Sequence, residues 1–196
     1  MKDREMIALY AEKTKKMLEN AGEDDFSALI NALTGLTMYP KGADFDLLPE
    51  DMAFAEGSEA DKILKKHADK DNGDIVDSYF ARGFYDGYFR VLNRNEEITA
   101  KTVLLRMRHA VIHTHPDFNL EEKTVSFTDI TRFTDLGYWN EKHYFAKDRR
   151  NPHKNHKIEK LEEFRAKFTF EEFRDLMKGY CDLLPEAYPV SQDSSI

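Results

Sequence analysis

Residues 110–133 read AVIHTHPDFNLEEKTVSFTDITRF, and whether each end of this stretch is strand or helix decides the fold. The first part is short, β-branched and stopped by Pro116, which predicts the end of a central strand carrying His113 and His115. The second part predicts a helix, SFTDITRFTDLG, opened by a Ser-x-x-Asp capping pattern at Ser126 and Asp129 and ended by Gly137. Alternate side chains of a strand share a face, so His113 and His115 project together while Thr114 points away. Two convergent imidazoles and a carboxylate, Asp129, from the helix that follows make a three-ligand set with one open position, the pattern of a catalytic zinc site.

Toward the N-terminus, Ile7, Tyr10, Ala11, Thr14, Met17 and Leu18 recur at helical spacing within residues 3–20. Gly22 and the aspartates beside it then separate this helix from a shorter one, FSALINAL. Residues 35–51, with two Pro and two Gly, predict a loop, and Ser58 with Asp61 predicts the cap of a further helix. DNG at 71–73 is a turn, and DIVDSYFARGFYDGYFRVLNRN predicts two strands joined at YDGY, 85–88. Residues 97–109 fit either helix or strand. HKIEKLEEFRAKF and TFEEFRDLMKGYCDLL predict two amphipathic helices, the second with a capping box at Thr169 and Glu172. The stripe Leu161, Phe164, Phe168, Phe173, Leu176, Met177 and Tyr180 is read as packing, Cys181 as a small buried hydrophobe, and the tail SQDSSI as frayed.

Composition narrows the function. A chain of 196 residues can build one good core, which favours one compact domain assembled from a helical and loop segment (1–57), a central unit (58–140) and a helical segment (141–196). A net charge of −8 argues against a protein that coats nucleic acid or anionic membrane, and KDRRNPHKNHK (147–157) is the one basic cluster. The single cysteine excludes a disulfide framework or a cysteine-rich zinc site. No signal-peptide or membrane-span pattern opens the chain, so a cytoplasmic location is expected, with secretion lacking a cleavable signal compatible.

HTHP (113–116), the nine-residue spacer DFNLEEKTV and SFTD (126–129) resemble the His-x-His-Pro…Ser-x-x-Asp motif of the JAMM/MPN metalloproteases. The resemblance implies an α/β fold of that type, also called cytidine-deaminase-like, with a mixed sheet flanked by helices and extra helices at both termini. It implies Zn²⁺ held by His113, His115 and Asp129, with Ser126 hydrogen-bonded to the tetrahedral intermediate formed as zinc-activated water attacks a peptide or isopeptide bond. The family's general base is an upstream glutamate. Glu59 and Glu56 rank ahead of Glu50 for that role, with Asp77 as a shorter substitute, since residues 74–87 carry no Glu. A protein or peptide would then be the substrate, and oligomeric state is open.

Two rivals follow. A scaffold with this fold but no activity is favoured by the lack of an obvious base. RNPHKNH and RHAVIH both fit the loose Arg-x4–6-His pattern of the helical HEPN ribonucleases, but Pro152 and the expected strand at 110–115 oppose it. His153 and His156 are read as loop residues rather than a second metal site.

Overall fold

The computed structural model describes residues 3–22, 25–38, 48–69, 73–85, 87–113, 116–140 and 143–187. Helices α1 (Asp3–Asn20), α2 (Phe26–Met38), α3 (Glu59–His67), α4 (Ala100–His113) and α5 (Phe170–Ala187) lie around a six-stranded sheet. The strands are β1 (Val76–Tyr85), β2 (Tyr88–Asn95), β3 (Asp117–Asn119), β4 (Thr124–Asn140), β5 (His143–Ala146) and β6 (His156–Thr169). Their order is β2-β1-β6-β4-β3, with β5 paired to the far end of β4. Every described pairing is antiparallel, so the mixed sheet expected from the sequence is instead antiparallel.

Local signals place several elements as expected. Asp25 Oδ1 accepts from the Ala28 N–H and Ser58 Oγ from the Asp61 N–H, opening α2 and α3. At the start of α5 the capping box is reciprocal: the Glu172 N–H donates to Thr169 Oγ1 and the Thr169 N–H to Glu172 Oε2. The β1–β2 hairpin turns through Gly87, whose φ of +77° suits glycine.

Three expectations are corrected. Helix α4 takes the helical alternative over residues 100–109 and replaces the strand end expected from Ala110 with helix through His113, because Ala100, Val103, Leu104, Met107 and Ala110 repeat at helical spacing and are all buried. That stripe outweighs the β-branched pair Val111 and Ile112. Residues 126–137 are strand, with Val125, Phe127 and Asp129 alternating inward. Gly137 sits inside the ladder rather than at a helix end, where an added Cβ would meet the Tyr144 ring at 2.2 Å. Residues 157–168 are strand too: Ile158, Phe164, Ala166 and Phe168 face inward at a period of two, and β6 is the central strand between β1 and β4. The expected turn at 71–72, residues 39–47 of the loop, Thr114 and His115, and the tail 191–196 lie outside the described residues.

The helices cover one end of one sheet face. Core residues from Ile7 to Leu184 join α1, α2, α3, α4, α5, β4 and β6 in one cluster. A second cluster, Tyr79, Ala81, Trp139 and Ile158, lies farther along the same face. Among the described residues, the opposite face carries no helix side chains of the core, and Phe84, Phe89, Val91 and Ile130 stand exposed there.

Candidate functional site

The helix-covered face holds two buried carboxylates. Asp77 on β1 and Asp129 on β4 are both paired in register with Phe164 of β6, so they stand on the same face, two strand spacings or about 10 Å apart. Helix α4 spans the gap. Its inward stripe packs on the core, while Arg106, His109 and His113, at steps of three and four residues, follow one another along the adjoining face.

Arg106 is the hub. Its Nη2 lies 3.0 Å from Asp77 Oδ1, and its Nη1 lies 3.7 Å from Asp129 Oδ2 and 3.6 Å from Glu162 Oε2. Burial raises the Asp77 carboxyl above its usual value, against the opposing pull of the guanidinium. His109 comes next: its Nδ1 lies 3.6 Å from Asp129 Oδ2, an ion-pair distance longer than a hydrogen bond, and its side chain is 41% exposed. Burial holds its pKa below 6.5, with Arg106, His113 and Arg108 adding to the effect and Asp129 opposing it. Its resting form at neutral pH is therefore the neutral imidazole, able to accept a proton. The His113 ring lies 6.3 Å from the His109 ring and is exposed.

Asp77, Arg106, His109 and Glu162 open onto a cleft of about 560 Å³, with Asp129 behind His109. Glu50, Asp77, Glu96, Glu97 and Glu162 line it against Lys101, Arg106 and His109. Lys101 Nζ is held by Glu50 at 2.6 Å and by the Leu48 carbonyl at 2.7 Å. Glu96 is held in turn by Arg94 at 2.7 Å, and the five carboxylates of the lining still outnumber Lys101, Arg106 and Arg94, a balance that favours a cationic ligand.

The residues expected from the sequence are only partly brought together. Asp129 is at the centre and His113 is one helical turn from His109, but on a helix end rather than a strand end. Ser126 is three residues from Asp129 on a strand, and an odd spacing sends its side chain to the opposite face, so it does not share a site with Asp129. Glu56 and Glu59 are exposed at the start of α3, where Glu59 pairs with Lys62; neither lines the cleft, whereas Glu50 and Asp77 do. Among the described residues no group of three or more His, Cys, Asp or Glu is gathered as a metal would need. Arg106, His109 and Glu162 were not singled out from the sequence. The signal for the first two was helical spacing to His113, hidden by reading 110–115 as strand.

The remaining readings resolve plainly. RHAVIH is helical after all, at 108–113, but beside a six-stranded sheet rather than in an all-α bundle, and His153 sits in a 3-10 turn (Pro152–Lys154) with His156 opening β6. Cys181 is buried and its thiol is pushed up to about 12 by that burial, which removes it as a nucleophile. Trp139 packs in the second cluster, ten residues along β4 from Asp129. No described helix is long and apolar enough to cross a membrane. No protein-family model, curated protein or solved structure matches this chain.

Proposed function

We propose that the cleft beside α4 is the active site of a hydrolase that cleaves an amide bond, peptide or isopeptide, carried by a basic segment of its substrate. The observation that carries this reading is the His109–Asp129 pair: a neutral, half-exposed imidazole whose Nδ1 faces a buried carboxylate, on the wall of a cleft. Asp129 would hold the Nδ1–H tautomer and leave Nε2 to take a proton from attacking water, then return it to the leaving amine. It would also stabilise the imidazolium formed in between. The carboxylates lining the cleft would draw in lysine or arginine side chains.

The test is hydrolysis of a lysine- and arginine-rich peptide library by the wild type, His109→Gln and Asp129→Asn, with products read by mass spectrometry. Cleavage by the wild type that both substitutions depress is the expected result. Undiminished cleavage by His109→Gln, or none by the wild type across the library, would remove the proposal.

A second reading keeps zinc. It is favoured by the histidine pair at i and i+4 on α4, His109 and His113, with Asp129 beside the first and His115 two residues beyond the second in sequence. His113, His115 and Asp129 would be the holders, with His109 as an additional nitrogen donor, and the metal when bound would polarise the scissile carbonyl. Metal content of the purified protein, with His113→Ala and His115→Ala as controls, separates this reading from the metal-free one. An inactive scaffold is the outcome if neither metal nor cleavage is found.

A further inference from the structure

The net charge hides a segregation. Between residues 147 and 157 stand Lys147, Arg149, Arg150, Lys154 and Lys157, with Asp148 as the only acid. This segment adjoins the open face of the sheet, the face away from the helices: Lys154 Nζ lies 5.7 Å above the Tyr138 ring, and Tyr138 is stacked on Phe145 with centroids 5.3 Å apart and an interplanar angle of 17°. Lys157 points to that face from β6, alternating with the buried Ile158.

A second aromatic pair lies across the same end of the sheet. Phe84 and Phe89 are directly opposed on β1 and β2, their rings 5.5 Å apart and 60% and 57% exposed. Strand β6 runs between β1 and β4, so the two pairs flank the strand that bears Lys157, with β1 and β4 about 10 Å apart. A shallow groove of about 350 Å³ continues from here down the face, floored by Phe80 and Leu161 and edged by Arg132 and by Arg82, which is paired with Glu159.

We infer that this open face binds single-stranded nucleic acid, independently of the cleft on the other side. Exposed rings on a sheet offer stacking surfaces to unpaired bases, and lysines and arginines between and beside them track the phosphates. The charge complementarity is local: the loop 147–157 and Lys157 are basic on a chain of net charge −8, the face's own Glu159 and Glu163 are paired with Arg82 and Arg165, and the carboxylates of the cleft lie on the opposite side of the sheet. A base paired in a duplex cannot reach the rings, so the expected ligand is unpaired.

The test is fluorescence anisotropy of labelled rU and dT oligonucleotides of roughly 15 nucleotides at about 50 mM salt, with a duplex of equal length as the control. Both single strands should bind in preference to the duplex, and the better of the two assigns the sugar. Phe84→Ala and Phe145→Ala should each weaken binding about fivefold or more, and Lys154→Glu with Lys157→Glu should flatten the salt dependence. Because these side chains are exposed, circular dichroism of each variant should match the wild type. Absent binding, binding as tight to the duplex, or binding indifferent to both phenylalanine substitutions would overturn the inference. So would a concentration-dependent dimer that Phe84→Ala dissolves, which would make the face a contact between two copies.

Discussion

Asp77 and Asp129 stand in register on either side of Phe164, and the one guanidinium of Arg106 reaches toward both. Two carboxylates on one sheet face would repel if left alone; a single cation from the covering helix holds them and ties α4 to the sheet at the same point. The Arg106 side chain is 15% exposed and that of Asp77 only 1%, so neither charge has much recourse to water when its partner is removed.

Arg106→Met should therefore destabilise the protein by about 3–5 kcal/mol in urea unfolding, because it leaves the buried Asp77 carboxylate without its cation. Asp77→Asn in the same chain should recover part of that loss. A single-substitution cost below about 1 kcal/mol would show that the pair is solvated.

For catalysis, His109→Gln and Asp129→Asn should each lower kcat by about 10²–10⁴. The double variant should be little worse than His109→Gln alone, since a carboxylate that works through the imidazole has nothing to act on once the imidazole is gone. Additive losses would assign Asp129 a separate role.

The pH response follows from the direction of the His109 shift. Its pKa lies below 6.5, so activity that needs the neutral ring should persist as pH falls through 6.5 and fail only on the more acid side. The Asp129 charge opposes that shift, so Asp129→Asn should move the titration of the His109 ring protons, followed by NMR, to still lower pH. Movement to higher pH would show that the carboxylate does not act on the ring.

Glu172 gives a second pH test, of stability. Burial works against its charge, but Lys66 Nζ, the Thr169 N–H and His67 outweigh it and hold its pKa at about 2, down from 4.5. A depressed carboxyl contributes stability that is complete above the unfolded value and is lost as pH falls through the folded one. Thermal melts between pH 5 and pH 2 should show a fall that Glu172→Gln largely removes, on the order of 2–3 kcal/mol across the window. The same slope in both proteins would move the effect elsewhere.

What the sequence made legible were features whose cause is local. The capping box at Thr169 and Glu172, the cap at Ser58 and the hairpin turn at Gly87 each depend on a few adjacent residues, and all are present. What it obscured depends on partners far along the chain. LEEFRAKF suits an amphipathic helix by propensity, yet Phe164, Ala166 and Phe168 are turned inward by β1 on one side and β4 on the other. The same override turned SFTD from a helix start into strand, which separated Ser126 from Asp129 by the thickness of the sheet. Asp129 stands out in the sequence as a candidate, but its neighbours Arg106 and His109 do not.

Gly137→Ala should test the β4–β5 corner. The added methyl group would lie 2.2 Å from the Tyr144 ring and 2.6 Å from the Phe145 carbonyl oxygen, and the second of these is backbone that cannot swing away. A loss of about 1–3 kcal/mol is expected, with Trp139 fluorescence reporting the displaced Tyr144 at its edge. A neutral result would mean that β5 yields easily.

The central place of β6 also sets an order of events. Among the described residues, the hairpin β1–β2 and the unit β3–β4–β5 are joined in the sheet through β6, which follows both of them in the chain. Until residue 169 has emerged, both parts carry an unpaired edge, and Phe164 and Phe168 are not yet in place to close the core. Assembly of this sheet is therefore forced to wait on long-range closure, a slow step for a chain of this topology, and the nascent protein is most exposed to aggregation just before β6 is threaded between two waiting neighbours.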